Sequence, residues 1–397
     1  MQLPITAALE GRWHTNLRLP EAAGMPQRRW RAFVSQEGYI SRLLPLATGA
    51  AAAGIDWDGA WLSPSGIDLQ INGGLGLAFP ELQIEQLPRL FELLDLLWRD
   101  GVEAICPTFV TCAVAPLRRG LAVLEEARLQ HRPGRCRLLG AHLEGPFLAP
   151  ERRGAHPLEH LCAPSIEALR ERIAGFESSI ALVTLAPELS GAELLINALR
   201  QQGILVSLGH SAATGEQAQR SYGQGVGMIT HAFNAMAGLH HRSPGPIAAA
   251  IVAPQVGVGL IADGIHVAPA MAVLLQRLLP EQVLLVSDAL APYGLSPGAY
   301  PWDERQITVK AGTCRLGDGT LAGTTLALLE GVKRLAAWSG NPNAAIRAAT
   351  VLPRRQLGDL RPVEQQLTGM AWNQTLCWQI GNDQIGNDQN LGWQRNG

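Results

Sequence analysis

From Pro64 onward the chain alternates short apolar runs with longer stretches in which apolar residues recur every three or four positions. Eight runs read as strands: 66–72 (GIDLQIN), 102–109 (VEAICPTF), 137–143 (RLLGAHL), 180–186 (IALVTLA), 204–209 (ILVSLG), 226–231 (VGMITH), 256–262 (VGVGLIA) and 282–288 (QVLLVSD). Most are continuously apolar, as strands covered on both faces are. Between the first two, Leu87, Leu90, Phe91, Leu94, Leu97 and Trp98 fall at helical spacing within 84–100, and Gly101 supplies the stop. Similar helices are predicted at 114–130, 191–202, 214–223 and 269–279, and a last one at 325–339. This is an α/β pattern, and eight strands with intervening helices predict a (β/α)8 TIM-type barrel. A doubly wound open sheet would use fewer strands and a glycine-rich phosphate turn after the first, and Gly73-Gly74 does not match that turn.

The flanks follow a different pattern. Residues 1–63 carry short strand-like pieces broken by Gly, Pro and Ala, and 353–397 are polar and helix-poor. The expected division is a small β domain from 1–63 and 353–397, built from both chain ends, around a hydrolase barrel at 64–352. The tail offers no clear final strand to close that domain. It contains the tandem run Gln379-Ile380-Gly381-Asn382-Asp383 and Gln384-Ile385-Gly386-Asn387-Asp388, whose composition suggests a loosely ordered end without catalytic content.

Composition narrows the function classes. The 397 residues leave room for one large domain and an accessory one. A net charge of -2 offers no basic excess for nucleic acid. No apolar run approaches the roughly 20 residues of a membrane span. Met1 to Gly11 lacks the charged segment and apolar core of a signal peptide. The six cysteines form no CxxC pair, which fits a reducing cytosol.

The chemistry lies in where the polar residues fall. Gln70 and Asn72 end the first strand; His142 and Glu144 the third; His210 follows the fifth; His231 and Asn234 the sixth; Asp263 and His266 the seventh; Asp288 ends the eighth. In a barrel these strand ends share one mouth, where barrel active sites are built. Two imidazoles and a carboxylate make a usual catalytic zinc shell with an open position. An ion held that way acidifies water towards a pKa of about 7, and Asp288 is placed to move protons. Position alone leaves the ligand set open.

Several motifs are more specific. His142-Leu-Glu-Gly-Pro-Phe147, Gly209-His-Ser-Ala212, Thr230-His-Ala-Phe-Asn-Ala-Met236, Ala262-Asp-Gly-Ile-His-Val267, Val286-Ser-Asp288 and Leu321-Ala-Gly-Thr324 occur in this order, preceded by Asp56-x-x-Gly-x-Trp-Leu-Ser-Pro64. Together they resemble the N-acetylglucosamine-6-phosphate deacetylases of the amidohydrolase superfamily, from about residue 56 to 326. The resemblance implies Glu144, His210 and His231 as metal ligands and Asp288 as the catalytic carboxylate. It implies substrate contacts at Ala155, His156, Asn234, Ala235, Arg242, His266, Leu321, Ala322 and Gly323, with Gln70 and Asp263 in the same pocket. Arg242 offers a planar, permanently charged fork suited to a sugar phosphate. Taken singly, Arg242 reads equally well as a solvated loop arginine, Asn234 as a helix cap and Asp263-Gly264 as a tight turn.

Many superfamily members begin the first strand with His-x-His and hold two metals. Here Gln70 and Asn72 stand in those places, and neutral amides are poor zinc ligands. The only lysines, Lys310 and Lys333, lie after the eighth strand, too late to bridge two ions as a carboxylated lysine. The expectation is therefore one divalent ion per subunit, Zn2+ first, with Fe2+, Co2+ or Mn2+ able to use the same ligands. The implied reaction is deacetylation of N-acetyl-D-glucosamine 6-phosphate by a cytoplasmic homodimer that takes a small phosphorylated amino sugar and needs neither nucleic acid nor membrane. The alternatives are another amidohydrolase, acting on a different N-acetyl sugar or a cyclic amide, and a non-catalytic sugar-phosphate-binding barrel. Pro64-Ser-Gly-Ile-Asp68 departs from the family's usual Pro-Gly-Phe-Ile-Asp.

Overall fold

The computed structural model describes residues 11–47, 53–381 and 390–397. The first ten residues, on which the leader question turns, and the second copy of the tail repeat lie outside them. The described residues form two compact units, divided after Ile67 and after Gly331.

One unit takes both chain ends. Its four-stranded sheet runs Ile40–Leu46, Arg29–Val34, Arg12–Leu17, Ile55–Asp56. In Arg29–Val34 every second residue is buried, the period-two signature of a strand with one covered face. Those side chains join Leu17, Ile40, Trp57, Leu62, Val363, Leu367 and Trp372 in one apolar core. The tail does supply closing strands, contrary to the sequence expectation. Thr375–Gly381 pairs antiparallel with both Trp61–Pro64 and Asn390–Arg395. Trp378 is fully buried there, and its indole N–H donates to Ser63 Oγ at 2.9 Å. Nor is this stretch helix-poor: Leu352–Gln356 and Val363–Leu367 are short helices.

The other unit is the barrel. Its strands are β1 (Gly66–Ile71), β2 (Val102–Val110), β3 (Ala141–Glu144), β4 (Ile180–Leu185), β5 (Leu205–Leu208), β6 (Met228–Ile229), β7 (Gly257–Leu260) and β8 (Val283–Leu285). They hydrogen-bond in sequence order, and β3 to β8 pair in parallel throughout. The ring is closed at its mouth: Asp288 N–H donates to the Gln70 carbonyl at 2.9 Å, and Asn72 N–H to that of Ala289 at 2.7 Å. The helices are α1 (Leu87–Arg99), α2 (Val114–Leu129), α3 (Ile166–Ile173), α4 (Ala192–Gln201), α5 (Gly215–Gln224), α6 (Pro246–Ala250) and α7 (Pro269–Leu278), and α8 (Leu328–Ser339) begins in this unit and runs past its end at Gly331. The periodicity did not predict α3 and α6: both are short, and α3 is rich in charge. α5 shows why these ends are sharp. Thr214 and Gln217 form a reciprocal capping box at its start, and Gly225 adopts φ 107° at its end. No helix among the described residues is long and apolar enough to cross a membrane.

The sequence reading missed an insertion between β8 and α8. Residues 298–324 fold into a four-stranded antiparallel sheet: β9 (Gly298–Trp302), β10 (Arg305–Lys310), β11 (Thr313–Leu316) and β12 (Leu321–Thr324). β12 lies against the end of β8, with Thr324 N–H donating to the Asp288 carbonyl at 2.9 Å and Leu290 N–H to that of Thr324 at 3.0 Å. Gly323 sits at φ 152°, and a Cβ there would meet the Asp288 carbonyl oxygen at 2.6 Å. Glycine is what lets the sheet approach so closely.

The barrel interior is more polar than its apolar strands suggest. Asp68 on β1 is buried, and its Oδ1 accepts from the amides of Gln70 and Ser287, both at 3.2 Å. Burial raises its carboxyl to about 7, against the lowering effect of these bonds. The folded chain therefore holds a proton that the unfolded chain has released between the ordinary aspartate value and about pH 7. Stability from this group is present below that window and falls as pH rises through it. Asp68→Asn should flatten the decline, which urea unfolding at pH 5 and pH 8 would measure; an unchanged slope would rule the assignment out.

Candidate active site

The period-two rule places residues two apart on one strand face. On β3, His142 and Glu144 both point inward, but at different depths. Glu144 reaches the mouth. His142 stays in the interior, where its Nδ1 lies 3.2 Å from Thr108 Oγ1 and its Nε2 lies 2.7 Å from Thr184 Oγ1. Thr184, Thr230 and Ser207 continue that hydroxyl network across β4, β5 and the residue after β6. Burial lowers His142 to about 4, so it is a neutral structural side chain and not a ligand.

At the mouth three donors converge. Glu144 Oε1 lies 3.2 Å from His210 Nε2 and 2.9 Å from His231 Nε2, and the two Nε2 atoms are 3.1 Å apart. All three residues are buried. This is a group able to hold a metal ion. The donor chemistry fits as well. His210 Nδ1 lies 2.9 Å from the Arg152 carbonyl, an acceptor only, so Nδ1 carries the proton and the Nε2 lone pair faces the other two donors. Burial alone would raise the Glu144 carboxyl, but the His210 and His231 imidazoles packed against it hold it well below the usual carboxylate range.

Asp288 lies beside this group. Its Oδ1 accepts from Asn72 Nδ2 at 2.7 Å and from Gln70 Nε2 at 3.3 Å. Gln70 Nε2 also reaches Glu144 Oε1 at 3.2 Å. The first-strand amides thus orient the two carboxylates. Burial and then the Glu144 charge raise Asp288 to about 7. The two carboxylates are thus shifted in opposite directions by their surroundings.

His156 completes the polar wall. Its Nδ1 accepts from Thr111 N–H at 3.2 Å, so the proton sits on Nε2, 4.0 Å from Glu144 Oε1. Burial and then neighbouring His210 lower it to about 3, which keeps it neutral and a donor. The backbone adds an independent sign of function. His210, His231 and Asp288 have φ of 48°, 28° and 48°. Non-glycine residues rarely occupy that left-handed region, and such strain clusters at functional sites.

These residues line a cavity of about 360 Å³. Of the residues expected from sequence, Ala155, His156, Asn234, Ala235, His266, Leu321 and Ala322 also line it. Gln70 lies buried beneath it, and Asp263 supports His266, with Oδ2 2.7 Å from His266 Nδ1. Gly323 seats β12 and adds no lining side chain. Arg242 is outside this lining, on an exposed loop where its backbone N–H meets His240 Nδ1 at 3.3 Å. Sequence reasoning missed Val110, Arg152 and Trp302. Trp302 belongs to β9, and the alternation in the adjoining strand β10, where Ile307 and Val309 are buried between exposed neighbours, was the available signal.

No protein-family model matches the chain. Named relatives do. An N-acetylgalactosamine-6-phosphate deacetylase of Escherichia coli O157:H7 is 33% identical over 83% of this chain and 89% of its own. N-acetylglucosamine-6-phosphate deacetylases of Vibrio furnissii and Danio rerio are 35% and 34% identical, over 75% and 83% of this chain and 74% and 84% of theirs. Among solved structures, a mutant Mycobacterium smegmatis N-acetyl-D-glucosamine-6-phosphate deacetylase in complex with N-acetyl-D-glucosamine-6-phosphate superposes with TM-score 0.79 at 26% identity, over 96% of this chain and 97% of that one. The Thermotoga maritima enzyme gives 0.77 at 27% identity, over 96% of each chain. With a barrel, a Glu–His–His group and relatives of this likeness, the chain belongs to the N-acetylglucosamine-6-phosphate deacetylase family.

Proposed function

We propose that this chain hydrolyses the acetamide of N-acetyl-D-glucosamine 6-phosphate to D-glucosamine 6-phosphate and acetate, in amino-sugar metabolism. The observation that carries the reading is Asp288, a buried base, beside the converging Glu144, His210 and His231. Those three residues would hold one divalent ion, for which zinc suits two imidazoles and a carboxylate. When bound, such an ion supplies Lewis-acid polarisation and makes water acidic at neutral pH.

The side chains do the rest. Asp288 takes a proton from the attacking water as its oxygen bonds to the acetyl carbon. His156 Nε2–H donates to the oxygen that gains negative charge, as a fixed donor in a water-poor site does. Asp288 then passes its proton to the nitrogen as the carbon–nitrogen bond breaks. Asn234, Ala235 and His266 take the sugar phosphate. Arg242 serves the same phosphate from the second subunit of a homodimer, a role supported by its exposure outside its own chain's cavity. Six free cysteines fit a cytosolic enzyme.

Acetate release from N-acetylglucosamine 6-phosphate, with metal analysis of the same sample, tests the reading. Stoichiometric metal without release from any N-acetyl amino sugar phosphate would sink it. Removing the 6-phosphate should lower kcat/KM at least about tenfold, since one charge-assisted pair exceeds 1.4 kcal/mol. Arg242→Ala should impose much of that loss through KM. Equal kcat/KM for the two sugars would point to a different amide substrate.

A further inference from the structure

The cavity has two unlike sides. Asn234 and Ala235 follow β6, and His266 follows β7. Across the barrel from β6 stands β2, which ends at Val110, because the strands pair in sequence order. Val110 joins Ala155, Trp302 and Ala322 in an apolar wall of the same cavity. Behind it lie Leu290, Ile307 and Cys314, all fully buried. Trp302 is only 6% exposed, and the Arg305 guanidinium sits 4.6 Å from its ring centroid. A ring held between a packed core and a stacked cation is a fixed boundary.

The substrate's own geometry assigns this wall a task. A planar acyl carbon carries an oxygen, a nitrogen and one carbon substituent. With the oxygen towards His156 and the nitrogen, its sugar and its phosphate towards Asp288, Asn234 and His266, the third substituent faces the opposite side. We propose that Trp302, with Val110, Ala155 and Ala322, forms the acyl subsite and confines hydrolysis to acetyl-sized groups. This rests on the amide-hydrolase reading above and adds the determinant of acyl length. The four side chains of this wall are apolar or aromatic, as contact with a methyl group requires. The insertion after β8 supplies Trp302 and Ala322, neither of which is one of the ion-holding residues or the proton-moving carboxyl.

The test is a series of N-formyl, N-acetyl, N-propanoyl and N-butanoyl glucosamine 6-phosphates. In the wild type, kcat/KM should fall roughly tenfold or more for each methylene beyond acetyl. Trp302→Ala should reduce the butanoyl penalty at least about tenfold, with Trp302→Phe between. An unchanged penalty in Trp302→Ala overturns the proposal. Circular dichroism reports whether that variant is folded. If it is not, Val110→Ala reads the same wall from a half-buried rim position, and an unchanged penalty there overturns the proposal equally. Calorimetry with Asp288→Asn separates this inference from the reading beneath it. Tighter binding of the acetyl than of the butanoyl sugar phosphate supports the wall even if the wild type releases no acid, an outcome that would overturn the hydrolase reading alone. Equal binding overturns the wall.

Discussion

Asp288→Asn should keep its metal and lose about a thousandfold or more in kcat, within the range general acid–base groups contribute. The substitution is nearly isosteric. Its amide oxygen can still accept from Asn72, which donates to Asp288 Oδ1 at 2.7 Å. Glu144, His210 and His231 approach one another without Asp288, so the ion group should persist. What disappears is a carboxyl that burial and the Glu144 charge hold at about 7. An amide can neither take the proton of water nor return one to nitrogen. The same carboxyl predicts an acidic limb in kcat/KM, set in the metal-loaded enzyme below that value, because a bound cation favours the ionised form. The variant should lose that limb with its activity. Near wild-type turnover at unchanged metal content would show that another group moves the proton.

Glu144→Gln should lose both metal and turnover. The carboxylate is the sole anionic member of the Glu–His–His group, and its Oε1 lies within 3.2 Å of both imidazole Nε2 atoms. Removing it should weaken metal binding by more than the 10–100-fold typical of losing an outer hydrogen-bond partner. Thermal unfolding gives a readout independent of activity. Ion at about a hundredfold above its Kd stabilises a folded protein by about 2.7 kcal/mol. Adding zinc to chelator-treated wild type should therefore raise Tm by several degrees, and do so far less in the variant. Equal shifts would place the ion elsewhere.

Much of this site was legible because a barrel repeats. Each βα unit ends its strand at the same mouth, so Glu144, His210, His231 and Asp288 could be grouped before any distance was known. The pattern did not resolve depth. Period two puts His142 and Glu144 on one face, but only packing shows Glu144 at the mouth and His142 among Thr108 and Thr184 one layer below. Likewise Gln70 was expected to touch substrate, and it lies under the site bridging Glu144 to Asp288.

The tail and the insertion were misread for another reason. Trp378 and Trp393 stand in a polar, glycine-rich stretch without long apolar runs. The Trp378 strand forms because Trp61–Pro64, more than 300 residues earlier in the chain, supplies a partner edge, and the Trp393 strand then pairs on its other side. Trp302 enters the cavity only because β12 carries the insertion back onto the end of β8.

By itself, then, the sequence determined the eight strands and the residue types at their ends, with amides in place of histidines on the first, since these depend on local periodicity and residue chemistry. Tertiary structure decided which strand-end groups meet, which carboxyl is held low and which near neutrality, and that an apolar wall faces the polar one. Those properties arise from burial and from neighbours distant along the chain, and local pattern does not encode them.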